Sequence, residues 1–212
     1  MGYYPMFVKL TGKQCLVVGA GKVAQRKIAG LLAAEADVTV VSPSVTPTVE
    51  EWSVTGRIML HRRVFHPEDV QGMAVIVAAA SDPAVNLAVY EAALPQQWVN
   101  IVDRPDLCSF VVPAVVERGD LQIAISTGGQ NPGLAKKLRS EWEERLGAEY
   151  EEYTRFLGEM RRRLLSLGLE EEEKRSILAA LLDERFYHWT KSGQIERRDR
   201  EAEKLFTRPP LR

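Results

Sequence analysis

The chain has 212 residues, of which 45% are hydrophobic and 27% are charged, and its formal net charge is -1. This composition is ordinary for a soluble globular protein, and the balanced charge does not favour a nucleic-acid partner. No apolar run reaches the roughly 18 residues of a membrane span, and the N-terminus lacks a signal-peptide pattern. The two cysteines, Cys15 and Cys108, are too far apart to suggest a disulfide or zinc framework, so we expect a cytoplasmic protein without a membrane partner.

Strands and helices alternate over the first half of the chain. In chain order, the sequence predicts a strand at QCLVV, a helix at KVAQRKIAGLLAAE, a strand at DVTVV, a helix near TPTVEEWSVTG, a short strand near IMLHRRV, a strand at MAVIVAAAS, a helix at PAVNLAVYEAAL and a strand at WVNIVD. The segment MAVIVAAAS shows little alternation, as expected of a strand covered on both faces. This order predicts an α/β fold, with a Rossmann-like doubly wound parallel sheet that binds NAD over residues 1–112.

The pattern changes in the second half of the chain. Apolar strands are predicted at residues 110–116 and 121–125, and the next helix begins with Asn131 as its N-cap and Pro132 in its first position. These strands offer more apolar surface than one Rossmann unit requires. We therefore expect residues 113–147 to be a dimerisation region with strands and a helix, which forms a twofold homodimer.

Residues 148–212 are predicted to be a helical C-terminal region. Its apolar stripes run through Tyr153, Phe156, Leu157, Met160 and Leu164, and then through Ile177, Leu181, Leu182 and Phe186. Such stripes must be buried against other elements. The polar tail from residue 195 onward is predicted to be frayed.

A glycine-rich turn follows the first predicted strand. The residues 19–24, GAGKVA, fit the pattern G-x-G-x-x-A between a strand and a helix. Gly19 permits the tight turn, Gly21 lets a pyrophosphate approach the backbone, and Ala24 lets the helix pack close to the strand. The helix N-terminus then faces the phosphates. The pattern therefore predicts a dinucleotide site.

The end of the second strand indicates which dinucleotide is bound. An acidic residue that takes the ribose hydroxyls is expected about 20 residues after the glycine turn, but the sequence has Ser42, Pro43 and Ser44 there. Ser42 or Ser44 can hydrogen-bond the ribose, or the three residues simply end the strand. No arginine stands there to hold a 2′-phosphate, so the sequence favours NAD over NADP.

A carboxylate follows the fifth predicted strand. Asp103 lies where that strand ends, which is the edge where ligands bind in open parallel sheets. There it can act as a general base, and we expect it to be partly buried beside Val102 and Phe110. A turn leading into the following residues explains Asp103 equally well, and Asp106 is interpreted as a turn residue.

Several of these segments occur together in one known family. Pro5, Phe7 and Leu10 lead into CLVVGAGKVAQRK, and VVSPS, AAASDPAVN and NIVDRPDLCSFVVPAVVERGDLQIAISTGGQNPGLAKKLR follow. In this order the chain resembles the precorrin-2 dehydrogenase family of siroheme and cobalamin synthesis over residues 3–145. That family typically has P-x-F-x-x-L and V-G-G-G-x-V-A-x-R-K, so Ala20 replaces its middle glycine.

The resemblance implies an activity and a fold. The family oxidises precorrin-2, a polycarboxylated tetrapyrrole, to sirohydrochlorin with NAD, and some members also insert Fe²⁺ to give siroheme. Its fold is a Rossmann domain, a dimerisation region and a small helical region, and its active site lies between the nucleotide turn and the dimer interface. The resemblance makes Asp103 the catalytic residue.

The resemblance also implies two sets of binding residues. The cofactor-binding set is Gly19, Ala20, Gly21, Lys22, Val23, Ser42, Pro43, Ser44, Ala79, Ala80 and Asp82. The substrate-binding set is Asn100, Ser126, Thr127, Gly128 and Gly129.

Two alternatives to a simple dehydrogenase remain open. A bifunctional enzyme would also act as a ferrochelatase, with Fe²⁺ as a transient substrate, although the three histidines have no metal-ligand spacing and we expect no stable metal site. A regulatory module that senses NAD would use the C-terminal helices as its output and would need no catalytic carboxylate.

Overall fold

Short apolar segments of the first half form the parallel sheet that their sequence predicts. The computed structural model describes residues 2–207, which fall into a first unit up to Val112 and a second unit from Pro113 onward. The strands of the first unit are β1 (Gln14–Val18), β2 (Asp37–Val41), β3 (Met59–His61), β4 (Val75–Ala78) and β5 (Trp98–Ile101). They are parallel and lie in the order β3-β2-β1-β4-β5. The predicted doubly wound α/β fold is confirmed.

The helices of the first unit begin at the residues that typically start helices. They are α1 (Lys22–Ala33), α2 (Pro47–Val54) and α3 (Pro83–Ala92). In α2 and α3 a proline occupies the first turn, and the preceding Thr46 or Asp82 accepts a hydrogen bond from a first-turn N–H group. Short 3₁₀ helices lie at Pro67–Val70 and Pro105–Leu107.

The sheet is covered by apolar packing on both faces. Cys15 and Val17 of β1 pack into one cluster with residues of α1, whereas Leu16 and Val18 pack into another with residues of α3. This division follows from the alternation of side chains along a strand. Both faces are buried, which explains why the strand sequences are almost continuously apolar.

The second unit combines a hairpin with helices. Strands β6 (Ala114–Arg118) and β7 (Leu121–Ile125) pair antiparallel as a two-stranded sheet. The helices are α4 (Pro132–Arg145), α5 (Glu149–Ser166), α6 (Glu171–Ala180), α7 (Glu184–Lys191) and α8 (Ile195–Thr207). Asn131 caps α4 as predicted, since its side chain accepts a hydrogen bond from the Leu134 N–H at 2.9 Å. No helix among residues 2–207 has both the length and the apolar character needed to cross a bilayer.

Two expectations for the helical region are wrong. The tail predicted to be frayed forms α8, in which Arg198 and Ala202 are buried. The reason is that Arg198 bonds to Glu152 of α5 at 3.1 Å, a contact that links residues 46 positions apart. Residues 208–212 of that tail lie outside the described part of the chain.

The second wrong expectation concerns the apolar stripe from Ile177 to Phe186, which was predicted to lie on one continuous helix. Helix α6 ends at Ala180 and α7 begins at Glu184, so the helical spacing is interrupted. Leu181 and Phe186 are buried, but Leu182 falls in the interruption and is 64% exposed.

Candidate active site

The glycine turn packs tightly against the end of β4. Gly19 has a φ of +102°, a value that favours glycine, and its N–H donates to the Val41 carbonyl at 2.9 Å. A Cβ atom at this position would lie 2.4 Å from the Ala79 carbonyl oxygen. Gly19 is therefore required both by its backbone conformation and by the close approach of β4.

Gly21 lies in a different environment. A Cβ atom there would meet nothing within 4 Å, and Gly21 is the N-cap of α1 with no side-chain capping bond in the described residues. The first-turn N–H groups of α1 therefore face a space that an anion can occupy. Ala20 is buried and its carbonyl accepts from the Thr46 N–H at 3.2 Å, while Lys22 is exposed. These features fit the pyrophosphate of a dinucleotide.

The turn after β2 uses one of its two serines internally. Ser42 is buried, and its hydroxyl donates to the Ser44 carbonyl at 2.6 Å. Pro43 and Ser44 are exposed. The side chain of Ser42 thus closes the turn, and the ribose-binding roles of these residues stay predictions.

The turn after β4 is held by a residue that the sequence interpretation did not assign. The Asn86 side chain accepts a hydrogen bond from the Ala80 N–H at 2.9 Å and donates one to the Ala80 carbonyl at 3.0 Å. Asp82 accepts from the Ala84 N–H at 2.9 Å and so caps α3. Asn86 is the last residue of the quoted segment AAASDPAVN, which was the available signal for its role.

Asp103 lies on a sharp turn directly after β5. Its φ is +62°, an αL conformation that aspartate and asparagine tolerate better than most residues. The turn is closed by Cys108, whose sulfur accepts from the Ile101 N–H at 3.2 Å and lies 3.3 Å from the Arg104 carbonyl oxygen. The contacts of Cys108 therefore fix the backbone on both sides of Asp103.

The environment of Asp103 differs from the expectation in one respect. The side chain is exposed rather than partly buried beside Val102 and Phe110, because the αL turn directs the chain out of the sheet edge. The neighbouring Asp106 is paired with Arg104 at 2.8 Å, and this hydrogen bond holds the pKa of the Asp106 carboxyl below its usual range. Asp106 thus acts as a turn residue, as the sequence interpretation proposed.

Asn100 anchors the segment that returns along β5. The side chain is 8% exposed, and its Nδ2 donates to the Phe110 carbonyl at 3.0 Å. Ser109 adds a second link, because its hydroxyl accepts from the Val99 N–H at 2.7 Å. The Nδ2 group of Asn100 therefore stabilises the fold by holding the segment that follows the turn.

A hollow of about 290 Å³ brings three of the predicted residues together. Val23 from the start of α1 lines it with Asn100 and Asp103, and Cys108 and Lys27 contribute the other polar side chains. We call this space the Asp103 hollow. Because Val23 follows the glycine turn directly, the hollow lies beside the predicted dinucleotide site and contains the predicted base.

Lys27 is the second residue that the sequence interpretation did not assign. It lies on α1, one turn after Val23, and its side chain is half-buried. Burial lowers the pKa of the Lys27 ammonium, the nearby Cys108 sulfur opposes this effect, and the positive charge of Arg26 adds to it. The sequence signal that could have identified Lys27 is the R-K pair at the end of the segment CLVVGAGKVAQRK.

The predicted substrate loop lies in the second unit. Gly128 and Gly129 have φ values of +61° and +82°. The Ser126 hydroxyl accepts from the Gly128 N–H at 3.1 Å, and the Thr127 hydroxyl accepts from the Asn131 N–H at 3.1 Å. These bonds hold the loop in front of α4, and its role in substrate binding stays a prediction.

Two further polar features can be compared with this hollow. Within residues 2–207, no three or more His, Cys, Asp or Glu side chains are grouped so that they could hold a metal ion. A larger hollow of about 580 Å³ lies in the second unit. Its charged side chains are paired with one another, Arg185 with Asp183 at 2.9 Å and Lys204 with Glu201 at 2.7 Å.

Comparison with known proteins gives matches along most of the chain. Residues 6–114 match the family described as "Putative NAD(P)-binding", residues 118–144 match "Sirohaem biosynthesis protein central", and residues 150–192 match "SirC C-terminal domain". A solved structure named "SirC, precorrin-2 dehydrogenase" has a TM-score of 0.80 and 30% identity, and the match covers 93% of this chain and 100% of that one.

Curated relatives are longer than this chain. Siroheme synthase of Methylobacillus flagellatus is 42% identical over 158 residues, which are 74% of this chain and 34% of that protein. Siroheme synthase 2 of Yersinia pseudotuberculosis is 33% identical over 211 residues, which are 99% of this chain and 45% of that protein. The chain therefore spans less than half of the length of these relatives.

Proposed function

This chain belongs to the SirC and siroheme synthase family of siroheme biosynthesis proteins, and on that premise we propose that it oxidises precorrin-2 to sirohydrochlorin with NAD as the hydride acceptor. The observation that carries the proposal is the Asp103 hollow. It places a carboxylate next to the first turn of α1, whose N-terminus offers N–H groups to a pyrophosphate. A proton acceptor beside a dinucleotide site is the arrangement that a dehydrogenation requires.

The proposed reaction removes a hydride and a proton from the substrate. NAD, when bound, supplies the hydride acceptor. Asp103 accepts the proton that leaves the macrocycle, and its exposure gives that proton a route to water. Cys108 and Asn100 hold the turn and the returning segment, so that the carboxylate keeps its place at the sheet edge.

The choice of NAD rather than NADP rests on the turn after β2. Ser42, Pro43 and Ser44 offer hydroxyl and backbone groups but no guanidinium for a 2′-phosphate. We expect kcat/KM to be at least about tenfold higher with NAD⁺ than with NADP⁺, because an unpaired phosphate would have to be desolvated. Equal values for the two cofactors would remove this assignment.

An anaerobic assay tests the proposed activity. Purified protein is mixed with precorrin-2 and NAD⁺, and the tetrapyrrole spectrum and NADH absorbance are followed together. Equal amounts of NADH and sirohydrochlorin support the dehydrogenase. Binding of NAD without any turnover would contradict it and favour the regulatory module. Addition of Fe²⁺ then measures ferrochelatase activity, which a rate above the uncatalysed insertion would establish.

We also propose that the protein is a homodimer. Strands β6 and β7 form a sheet of only two strands, and neither outer edge pairs with another strand within the described residues, so these edges can pair with a second copy of the chain. Apolar side chains of the second unit, such as Leu134 and Trp142, are 46% and 39% exposed. Light scattering at micromolar concentration is expected to give twice the mass of the chain, and the mass of a monomer would contradict the proposal.

A further inference from the structure

The Asp103 hollow contains a positive charge that has no carboxylate partner among the described residues. Lys27 lines it, and among the described residues its ammonium forms no ion pair with a carboxylate. Asp103 lines the same hollow without forming an ion pair with Lys27 in the described structure. A half-buried ammonium has lost part of its hydration, so an anion that pairs with it inside the hollow is stabilising.

The position of Lys27 indicates what kind of ligand would pair with it. It lies on α1 one turn beyond Val23 and lines the hollow with it, whereas the N–H groups offered to a pyrophosphate belong to the first turn. Lys27 therefore shares one hollow with Asp103 and is not among the first-turn residues whose N–H groups face the predicted pyrophosphate site. A ligand that fills the hollow can therefore place an anionic group against Lys27 and its reacting carbon against Asp103.

We propose that Lys27 binds a carboxylate of the tetrapyrrole substrate and thereby orients the macrocycle against Asp103. This inference rests on the proposed function, since precorrin-2 carries acetate and propionate side chains around its ring. A charge-assisted hydrogen bond from the ammonium to one of them satisfies both groups. Lys27 is thus a residue for substrate binding and positioning, and Asp103 remains the base.

Two variants on the same helix separate this role from general electrostatics. Lys27→Met removes the charge but keeps an unbranched side chain only one atom shorter, and Arg26→Met removes one positive charge from the exposed neighbouring position. Lys27→Arg restores a cation. Equilibrium binding of uroporphyrin III, a stable polycarboxylated tetrapyrrole, is measured by fluorescence, NAD⁺ binding is measured by calorimetry, and KM and kcat are measured with precorrin-2.

The expected result is specific to the tetrapyrrole. Lys27→Met weakens uroporphyrin III binding and raises the KM for precorrin-2, each about tenfold, while NAD⁺ affinity is unchanged. Lys27→Arg recovers most of the binding, and Arg26→Met changes it by less than about twofold because an exposed charge contributes little. Unchanged NAD⁺ affinity also shows that the variants are folded.

Two results would overturn the inference. Equal uroporphyrin III affinity in Lys27→Met and Arg26→Met would show that Lys27 makes no specific contact. Loss of NAD⁺ affinity instead of tetrapyrrole affinity would place Lys27 in the cofactor site. Failure of the proposed function would give a different result. The protein would then bind uroporphyrin III, and Lys27→Met would weaken that binding, but the unmodified protein would not oxidise precorrin-2.

Discussion

The core of the first unit is aliphatic, whereas the core of the second unit is aromatic and contains a buried charge. In the first unit, strands such as β1 and β4 bury consecutive aliphatic residues on both faces of the sheet. In the second unit, Phe156 and Trp189 are core residues, and the Arg198 guanidinium lies 4.1 Å from the ring centroid of Phe156. The first core depends on local sequence periodicity, and the second depends on specific contacts between distant residues.

The largest effect is expected from removing the buried charge of the second unit. Arg198 is 4% exposed and bonds to Glu152 at 3.1 Å and Asp199 at 2.8 Å. We expect Arg198→Ala to lower the free energy of unfolding by about 3 kcal/mol, since it removes the packing against Phe156 and the hydrogen bonds that link α8 to Glu152 and to the buried Thr190 hydroxyl. Urea denaturation measures the loss, and hydrogen exchange is expected to localise it to α8.

Arg200→Ala is the matched control for this prediction. Arg200 lies on the same helix and is exposed, so its substitution is expected to change stability by less than about 0.5 kcal/mol. Equal denaturation midpoints for the two variants would show that the buried charge does not hold the second unit together.

A pair of glycine variants extends the comparison to the first unit. In Gly19→Ala the new Cβ atom overlaps the Ala79 carbonyl at a positive φ, and we expect a loss of about 2–3 kcal/mol in stability together with lost dinucleotide binding. In Gly21→Ala the Cβ atom enters open space, so stability changes by less than about 1 kcal/mol.

Both glycine variants are expected to bind NAD⁺ at least about tenfold more weakly, because the methyl group of Gly21→Ala takes the place of the approaching phosphate. Calorimetry measures the affinity and urea denaturation measures the stability. Native NAD⁺ affinity in Gly21→Ala would show that the space beside Gly21 is not the pyrophosphate site.

A smaller effect is expected at the end of β4. Asn86→Ala leaves the N–H and the carbonyl of Ala80 without their partners, and this should cost about 1–2 kcal/mol. Thermal unfolding measures the cost, with Glu91→Ala on the exposed side of the same helix as the control. Equal melting temperatures for the two variants would show that water replaces the Asn86 amide and that its two hydrogen bonds to Ala80 are not needed for stability.

The smallest effect is expected from alkylation of the two cysteines of the first unit. Cys15 is fully buried, and burial raises its pKa to about 11, so at pH 8 about one thiol in a thousand is ionised. Cys108 is half-buried and lines the Asp103 hollow. We expect iodoacetamide to alkylate Cys108 and to spare Cys15, as peptide mass spectrometry would show. Modification of Cys15 first would contradict the packing of β1.

The sequence was sufficient where structure follows from local pattern. The parallel sheet, the turn at Gly19 and the cap at Asn131 were predicted because each depends on residues close together in the chain. The buried Arg198 was not, since its partner Glu152 is 46 positions away and nothing in the polar segment around Arg198 indicates burial.

The candidate site shows the same limit. Val23, Asn100 and Asp103 were assigned from the glycine pattern, the strand end and the family resemblance, and they line one hollow. The exposure of Asp103 was not foreseen, because it results from the αL turn. Lys27 and Cys108 were also missed as members of the site, since their place in the hollow follows from the packing of α1 beside the turn after β5.

The most direct test of the central claim, that Asp103 is the base at the edge of the dinucleotide-binding sheet, is the turnover of Asp103→Asn. Asparagine tolerates the φ of +62° and keeps the size of the side chain, so the turn is retained. Asp106→Asn, which affects only the exposed pair with Arg104, serves as the control.

We predict that Asp103→Asn binds NAD⁺ with native affinity while its kcat for precorrin-2 falls at least about tenfold, which corresponds to about 1.4 kcal/mol of activation free energy. Asp106→Asn is expected to keep its kcat. Native turnover by Asp103→Asn, measured as NADH formation under anaerobic conditions, would contradict the assignment of Asp103 as the base.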